Sequence, residues 1–174
     1  MSYTETWGTH EAFDRYETVR HRMPDAVFPA QTKECNGLLD IADQFDAFVL
    51  DSFGVLNVGE TAIPGAVDCM CQLRALGKRL IVLTNAASYT RDVAVRRYRK
   101  LGFDFAPEEV VSSRDVAVSH LDKVLPDGNW GAIAAPNDDF ADIPARIEHW
   151  TGQDVDGYLL LSSAALNADM VRLL

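Results

Sequence analysis

Polar side chains stand at the ends of two apolar runs in the first half of the chain. Asp51 ends the run 46–51, and Thr84 ends the run 79–84. Such runs predict buried strands. Because neighbouring parallel strands lie about 4.8 Å apart, both side chains could face one pocket at the carboxyl edge of a sheet. An aspartate there can attack phosphorus or bind Mg²⁺. A threonine hydroxyl with nearby backbone N–H groups can hold a phosphoryl oxygen. A helix cap or a loop hydrogen bond is the ordinary alternative for the acid.

The elements that would position these side chains alternate between strand and helix. We predict strands at 46–51, 79–84 and 110–111, the first two buried on both faces, and helices at 66–76, 90–101 and 115–124. This order is typical of βαβ units with a parallel sheet and right-handed crossovers. The fold class predicted is therefore α/β with a Rossmann-like parallel sheet.

The rest of the chain divides around this core, which we place at residues 35–125. Residues 1–34 are predicted to form an N-terminal helical arm, with a helix at 10–22. The turn cluster Pro126–Asn129 is a candidate boundary. Beyond it we predict strands at 131–135 and 158–161 and helices at 140–150 and 165–174, with the acidic pair Asp138-Asp139 capping the first of these helices. The final residues carry no stop signal, so we expect the natural protein to continue past Leu174.

Composition and charge exclude several classes of partner. The formal net charge is −10, and a field of that sign repels nucleic acid and anionic lipid. No apolar run approaches the roughly 18 residues that a membrane-spanning helix needs, and the polar N-terminus lacks the pattern of a signal peptide. Three cysteines predict reduced thiols in a cytoplasmic protein. Because the field also opposes an anionic substrate, a phosphate site would depend on local donors and a bound cation.

Three segments of the core resemble motifs of the haloacid dehalogenase superfamily. Residues 48–56, FVLDSFGVL, resemble its first motif, and residues 83–88, LTNAAS, resemble its second. The Thr-Asn-x-x-Ser form, together with AIPGA at 62–66, is similar to the class IIA branch, which includes 4-nitrophenyl, pyridoxal and sugar or nucleotide phosphatases. The resemblance implies that residues 35–125 are the first half of the superfamily's core, and that residues 126–174 begin a class IIA α/β cap domain.

The resemblance also implies a role for each motif residue. Asp51 would attack phosphorus and form an aspartyl-phosphate, and Thr84 and Asn85 would bind the phosphoryl group. Mg²⁺ would be held by the Asp51 carboxylate and the backbone carbonyl of Phe53, where it would offset the repulsion between nucleophile and phosphate. The implied substrate is a small phosphorylated metabolite. A homodimer is also left open, because caps of this branch often contribute dimer contacts.

Phe53 departs from the family's phosphatase pattern. Phosphatases of the superfamily place a second aspartate there to protonate the leaving oxygen and activate water, which typically contributes about 10²–10⁴-fold to the rate. The protein could be a slow phosphatase, could perform different chemistry, or could bind a phosphorylated ligand without turnover; packing of the ring against the core is an equally open explanation. Haloacid dehalogenases also carry an aromatic here, but they usually insert a helical cap between the two motifs. The separation of 33 positions between Asp51 and Thr84 leaves no room for that cap.

The second departure from the family's pattern is the absence of the superfamily's third and fourth motifs. Its lysine and its acidic metal-binding pair lie after the cap in class IIA members, and no Gly-Asp-x-x-x-x-Asp pattern follows residue 125. We therefore expect this chain alone to be inactive or nearly so.

Overall fold

The structure of the chain is a computed structural model that describes residues 8–173. Its strands are β1 (Ala47–Leu50), β2 (Asn57–Val58), β3 (Thr61–Ala62), β4 (Arg79–Thr84), β5 (Val110–Ser112), β6 (Asn129–Ile133), β7 (Arg146–His149) and β8 (Gly157–Leu160). Its α-helices are α1 (Thr9–Val19), α2 (Ala66–Ala75), α3 (Arg91–Lys100), α4 (Ser113–Val118), α5 (Leu121–Val124) and α6 (Ala168–Leu173). Short 3₁₀ segments are Arg20–Arg22, Leu38–Gln44, Pro107–Glu109 and Ser163–Ala165. The first seven residues of the predicted arm and the last residue of the predicted final helix lie outside the described residues.

The first sheet contains β1, β4 and β5, in that spatial order and all parallel. Helix α2 connects β1 to β4, and α3 connects β4 to β5. The register pairs Leu50 with Val82 and Thr84 with Ser112, so the carboxyl ends of the three strands meet at one edge. This arrangement confirms the predicted α/β class with a parallel sheet.

Helices cover only one face of this sheet within the described residues. Leu50 and Val82 pack with Met70 of α2 and Val95 of α3 in a single hydrophobic cluster. On the other face, Val49 is 66% exposed and Leu83 is 51% exposed. The prediction that the first two strands are buried on both faces is therefore wrong, because α2 and α3 pack on the same side.

The stretch between Asp51 and α2 forms a small hairpin that the sequence did not predict. Strands β2 and β3 pair antiparallel, with Asn57 opposite Ala62. Gly59 adopts a positive φ of 57° in the tight connection, a conformation that glycine reaches without steric cost. The side-chain amide of Asn57 donates a 2.8 Å hydrogen bond to the Gly59 carbonyl. The hairpin is therefore held at its turn by the same asparagine that begins it.

The second sheet is also parallel, with the order β7-β6-β8. Strand β7 occupies part of the segment predicted as a helix at 140–150, so that prediction is wrong. Phe140 has a φ of 54°, Pro144 removes a backbone donor just before β7, and β7 alternates between exposed and half-buried residues. Asp138 therefore caps no helix at 140–150 and pairs with Arg114 instead.

The remaining predicted elements are shorter than expected or match the prediction. The helix at 10–22 is confirmed as α1 followed by one 3₁₀ turn, and none of its residues is buried. The predicted helix at 115–124 divides into α4 and α5, and the predicted final helix begins at Ala168. The domain boundaries at 34 and 125 stay predictions. Within residues 8–173, no helix is both long and apolar enough to cross a membrane.

Candidate active site

Asp51 stands immediately after β1, at the carboxyl edge of the first sheet. One of its carboxylate oxygens, Oδ1, accepts a 2.7 Å hydrogen bond from the backbone N–H of Ser52. The residue is exposed, and the carboxylate has no ion-pair partner among the described residues. It is therefore accessible to a ligand.

Thr84 is the last residue of the neighbouring strand β4, and it is 7% exposed. Its hydroxyl accepts a 3.2 Å hydrogen bond from the backbone N–H of Ala86 in the loop that follows the strand. Thr84, Asn85 and Asp51 line one cavity of about 490 Å³, together with Leu83, Val116 and the two serines at 112 and 113. The structure thus brings together the three residues whose polar side chains the sequence analysis singled out.

Phe53 lies on a second cavity that adjoins the first. This cavity has a volume of about 280 Å³ and shares Thr84, Asn85 and Ser112 with its neighbour. The side chain of Phe53 is 67% exposed, so the ring does not pack into the core. An aromatic ring therefore stands beside the candidate phosphate-binding residues and offers no transferable proton.

A buried hydrogen-bond chain fixes the residue that follows Asp51. The hydroxyl of Tyr98 donates to the Ser52 hydroxyl at 2.8 Å, and Ser52 donates to the side-chain carbonyl of Asn57 at 3.0 Å. The Ser52 carbonyl also accepts the backbone N–H of Leu56 at 2.8 Å. Burial raises the pKa of Tyr98, and the hydrogen bond to Ser52 opposes that rise. Tyr98 was not predicted as a site residue, because its only signal in the sequence is its place on the apolar face of α3, three residues after Val95.

The loop after Thr84 is joined to the β2–β3 hairpin by an arginine. Arg97 of α3 forms an ion pair with Glu60 at the hairpin turn, and its guanidinium lies 4.3 Å from the centre of the Tyr89 ring. Arg97 and Tyr89 both line the 280 Å³ cavity. Arg97 therefore borders the candidate site.

Ser112 combines a capping role with a place on the cavity wall. Its hydroxyl accepts the backbone N–H of Asp115 at 3.2 Å and donates to the carboxylate of the same residue at 2.8 Å. Asp115 in turn accepts the N–H of Ser112 at 2.9 Å, which completes a capping box at the start of α4. Because its hydroxyl is engaged in the cap, Ser112 shapes the cavity rather than offering a free donor.

The oxygen ligands at the site suit a hard cation. Within residues 8–173, no cluster of three or more histidine, cysteine or acidic side chains could hold a metal. The Asp51 carboxylate is exposed, and the backbone carbonyl of Phe53 accepts no loop hydrogen bond from the described residues. Mg²⁺ is commonly held by one or two carboxylates together with substrate phosphates and water. The residues present therefore fit Mg²⁺ bound jointly with a phosphorylated ligand.

Comparison with known proteins defines the class. The haloacid dehalogenase-like hydrolase family model matches residues 48–141, more than half of the chain, so the chain belongs to that family. Its similarity to a 4-nitrophenylphosphatase agrees with the predicted class IIA branch. The chain is 34% identical over 86 residues to a 4-nitrophenylphosphatase from Schizosaccharomyces pombe. The matched segment covers 49% of this chain and 29% of the relative. The chain is also 47% identical over 60 residues to glycerol-3-phosphate phosphatase from Rattus norvegicus. This second match covers 34% of this chain and 19% of the relative.

Solved structures support the fold independently. A 4-nitrophenylphosphatase from Thermotoga maritima superimposes with a TM-score of 0.61 at 21% identity, over 76% of this chain and 51% of that one. A glycerol phosphate phosphatase from Mycobacterium tuberculosis in complex with magnesium gives a TM-score of 0.59 at 24% identity, over 76% and 40%. The chain therefore spans about half or less of the solved proteins, and under a third of the two relatives named above.

Proposed function

We propose that this chain carries the nucleophile and the phosphoryl-binding residues of a phosphatase that acts on a small phosphorylated metabolite. The observation that carries the proposal is the shared cavity of Asp51, Thr84 and Asn85 at the carboxyl edge of a parallel sheet. The similarity to phosphatases of the same family supports it. A homodimer and a cytoplasmic location remain predictions from the sequence.

In the proposed reaction, Asp51 attacks the phosphorus of the substrate. A bond forms between a carboxylate oxygen and phosphorus, the bond from phosphorus to the leaving oxygen breaks, and an aspartyl-phosphate results. Thr84 and Asn85 hold the phosphoryl oxygens, and water later hydrolyses the acyl-phosphate to restore the carboxylate. Mg²⁺, held by the Asp51 carboxylate and the Phe53 carbonyl, would neutralise charge on the phosphoryl group.

Phe53 determines which substrates can react. Without an acid at this position, the leaving oxygen departs as an anion, so the first step favours esters of acidic alcohols such as 4-nitrophenol. Water is not activated either, so the second step is slow. Because general acid–base catalysis is worth about 10²–10⁴-fold, we expect phosphorylation of Asp51 to outpace its hydrolysis.

The exposure of Phe53 also supports a second function, in which the protein binds a phosphorylated ligand without turning it over. A largely exposed aromatic beside the phosphate-binding residues can contact the organic part of a ligand. The dehalogenase alternative is not favoured, because only one hairpin and one helix separate Asp51 from Thr84 and the relatives named above are phosphatases.

Pre-steady-state release of 4-nitrophenol from 4-nitrophenyl phosphate tests the proposal. With Mg²⁺, we expect a burst of at most one equivalent per chain followed by almost no turnover, in keeping with a chain that lacks the superfamily's third and fourth motifs, and no burst in Asp51→Asn or without metal. Unchanged release by Asp51→Asn would rule out Asp51 as the nucleophile. Binding of 4-nitrophenyl phosphate without any burst would support the binding function instead.

A further inference from the structure

One arginine outside the candidate site is almost completely buried. Arg114 lies in the first turn of α4 and is 1% exposed. Its guanidinium donates to both carboxylate oxygens of Asp138 at 2.6 and 2.9 Å, and to both of Asp142 at 2.7 and 2.8 Å. A planar guanidinium satisfied by two bidentate carboxylates is a geometry that lysine cannot reproduce.

These ion pairs connect the two sheets. Arg114 follows β5 of the first sheet, whereas both carboxylates lie in the segment between β6 and β7 of the second. A buried charge that lost its partners would be strongly unfavourable, so the arrangement defines one relative position of α4 and that segment.

Arg114 also contacts the loop that follows Thr84. Nη1 of Arg114 also donates a longer hydrogen bond, 3.4 Å, to the Ala87 carbonyl. The next residue, Ser88, donates its hydroxyl to the Leu161 carbonyl at 3.0 Å, directly after β8. The side chain of Ala87 packs against the hydrophobic cluster of the second sheet. Residues 87 and 88 are therefore held by the second sheet and by the arginine that is paired to it.

We propose that Arg114 is a positioning residue for the phosphate-binding loop, 84–88, and that it fixes this loop against the second sheet. The inference rests on the proposed function, because it assigns the loop a ligand. Arg114 itself does not line the cavity that contains Asp51 and Thr84. It acts through the backbone of Ala87, and with Ser88 it sets the direction in which the N–H group of Asn85 points.

A matched pair of variants separates positioning from simple stabilisation. Arg114→Lys removes the two bidentate pairs with Asp138 and Asp142 while keeping the positive charge. Arg74→Lys does the same to a second bidentate arginine, which pairs with Glu109 at 2.6 and 2.8 Å and contacts neither the loop nor the second sheet. Ser88→Ala removes the other contact of the loop without altering any charge, which covers the case in which Arg114→Lys does not fold.

The first readout needs no ligand. In two-dimensional ¹H–¹⁵N spectra we expect Arg114→Lys and Ser88→Ala to shift the amide resonances of Asn85, Ala86 and Ala87, and Arg74→Lys to leave them in place. Unshifted resonances in both loop variants would overturn the proposal. So would equal shifts in Arg74→Lys, which would mean that any loss of stability disturbs the loop.

The second readout is the affinity for inorganic phosphate with Mg²⁺, measured by calorimetry well below the melting temperature. We expect roughly tenfold weaker binding in Arg114→Lys and Ser88→Ala, since a misplacement of about 1 Å can cost up to about 10²-fold in function. In Arg74→Lys we expect the affinity to change by no more than about twofold. Equal affinity in all variants would contradict the positioning role. If the unmodified chain binds no phosphate, the proposed function fails while the amide shifts still decide the role of Arg114.

Discussion

Replacing Phe53 by aspartate puts a carboxyl group on the rim of the cavity that also contains Thr84 and Asn85. The ring is 67% exposed, so its removal gives up about a third of the burial of a phenylalanine. Full burial is worth about 1.5–3 kcal/mol, so the loss should stay below about 1 kcal/mol. The fold is therefore expected to survive the change, and rates can be compared directly.

The expected gain depends on the leaving group. For an alkyl phosphate such as glycerol 3-phosphate, whose leaving oxygen needs a proton, the new acid should raise the rate of phosphate release by about 10²–10⁴-fold. For 4-nitrophenyl phosphate the burst rate should change little, because the leaving anion is stable. The slow phase after the burst should accelerate, since aspartate can activate the hydrolytic water.

The assay is phosphate release with Mg²⁺ by the unmodified chain, Phe53→Asp and the control Phe53→Asn. Asparagine has nearly the same size and polarity as aspartate but cannot act as the acid and base. Equal gains for both variants would show that a smaller side chain, not a proton donor, is what matters. No gain for either would refute the claim that Phe53 limits turnover and would favour the binding function.

Three further predictions concern the stability of the fold. Tyr98→Phe should lower the free energy of unfolding by about 1 kcal/mol, because Ser52 loses a buried 2.8 Å hydrogen bond. Gly157→Ala should lower it by about 1–3 kcal/mol, because the added Cβ would stand 2.8 Å from the ring of Trp130. Arg114 lowers the pKa of both carboxyls that it binds. Its ion pairs therefore stabilise the fold above the carboxyls' pKa in the unfolded chain, about 3.9, and this contribution should be lost as the pH falls from that value through the lower folded pKa.

Urea denaturation measures all three, and the chain offers matched controls for the substitutions. Tyr16 is an exposed tyrosine on α1, so Tyr16→Phe should change stability little. A Cβ added at Gly37 meets nothing within 4 Å, so Gly37→Ala should be tolerated. Equal effects of a variant and its control, or an unfolding free energy that stays constant from neutral pH to about pH 3, would contradict these predictions.

The sequence predicted the first sheet because its strands are short apolar runs followed by residues with visible chemistry. Asp51 and Thr84 end two such runs, and the parallel register brings the ends of β1 and β4 to one edge. The exposed face of the sheet was not predictable, since the residues Val49 and Leu83 look the same whether or not another layer covers them. The sequence shows that these residues are apolar, whereas their burial depends on whether another layer packs on that face of the sheet.

The second sheet and its ion pairs were harder to predict. Strand β7 has too few apolar residues for a buried strand, and the sequence predicts part of a helix there although Pro144 precedes it. The role of Arg114 depends on carboxylates 24 and 28 residues away, and no local pattern distinguishes it from the solvated arginines nearby. Contacts that are distant in the sequence and involve charges cannot be inferred from periodicity.

The most direct test of the central claim is whether a phosphoryl group is transferred to Asp51. The chain is mixed with 4-nitrophenyl phosphate and Mg²⁺, quenched in acid during the burst, reduced with borohydride and mapped by mass spectrometry. Reduction of an aspartyl-phosphate leaves homoserine, and we predict homoserine at position 51 alone, in an amount that matches the burst. A burst with position 51 unmodified, or with the modification at another acidic residue, would contradict the account.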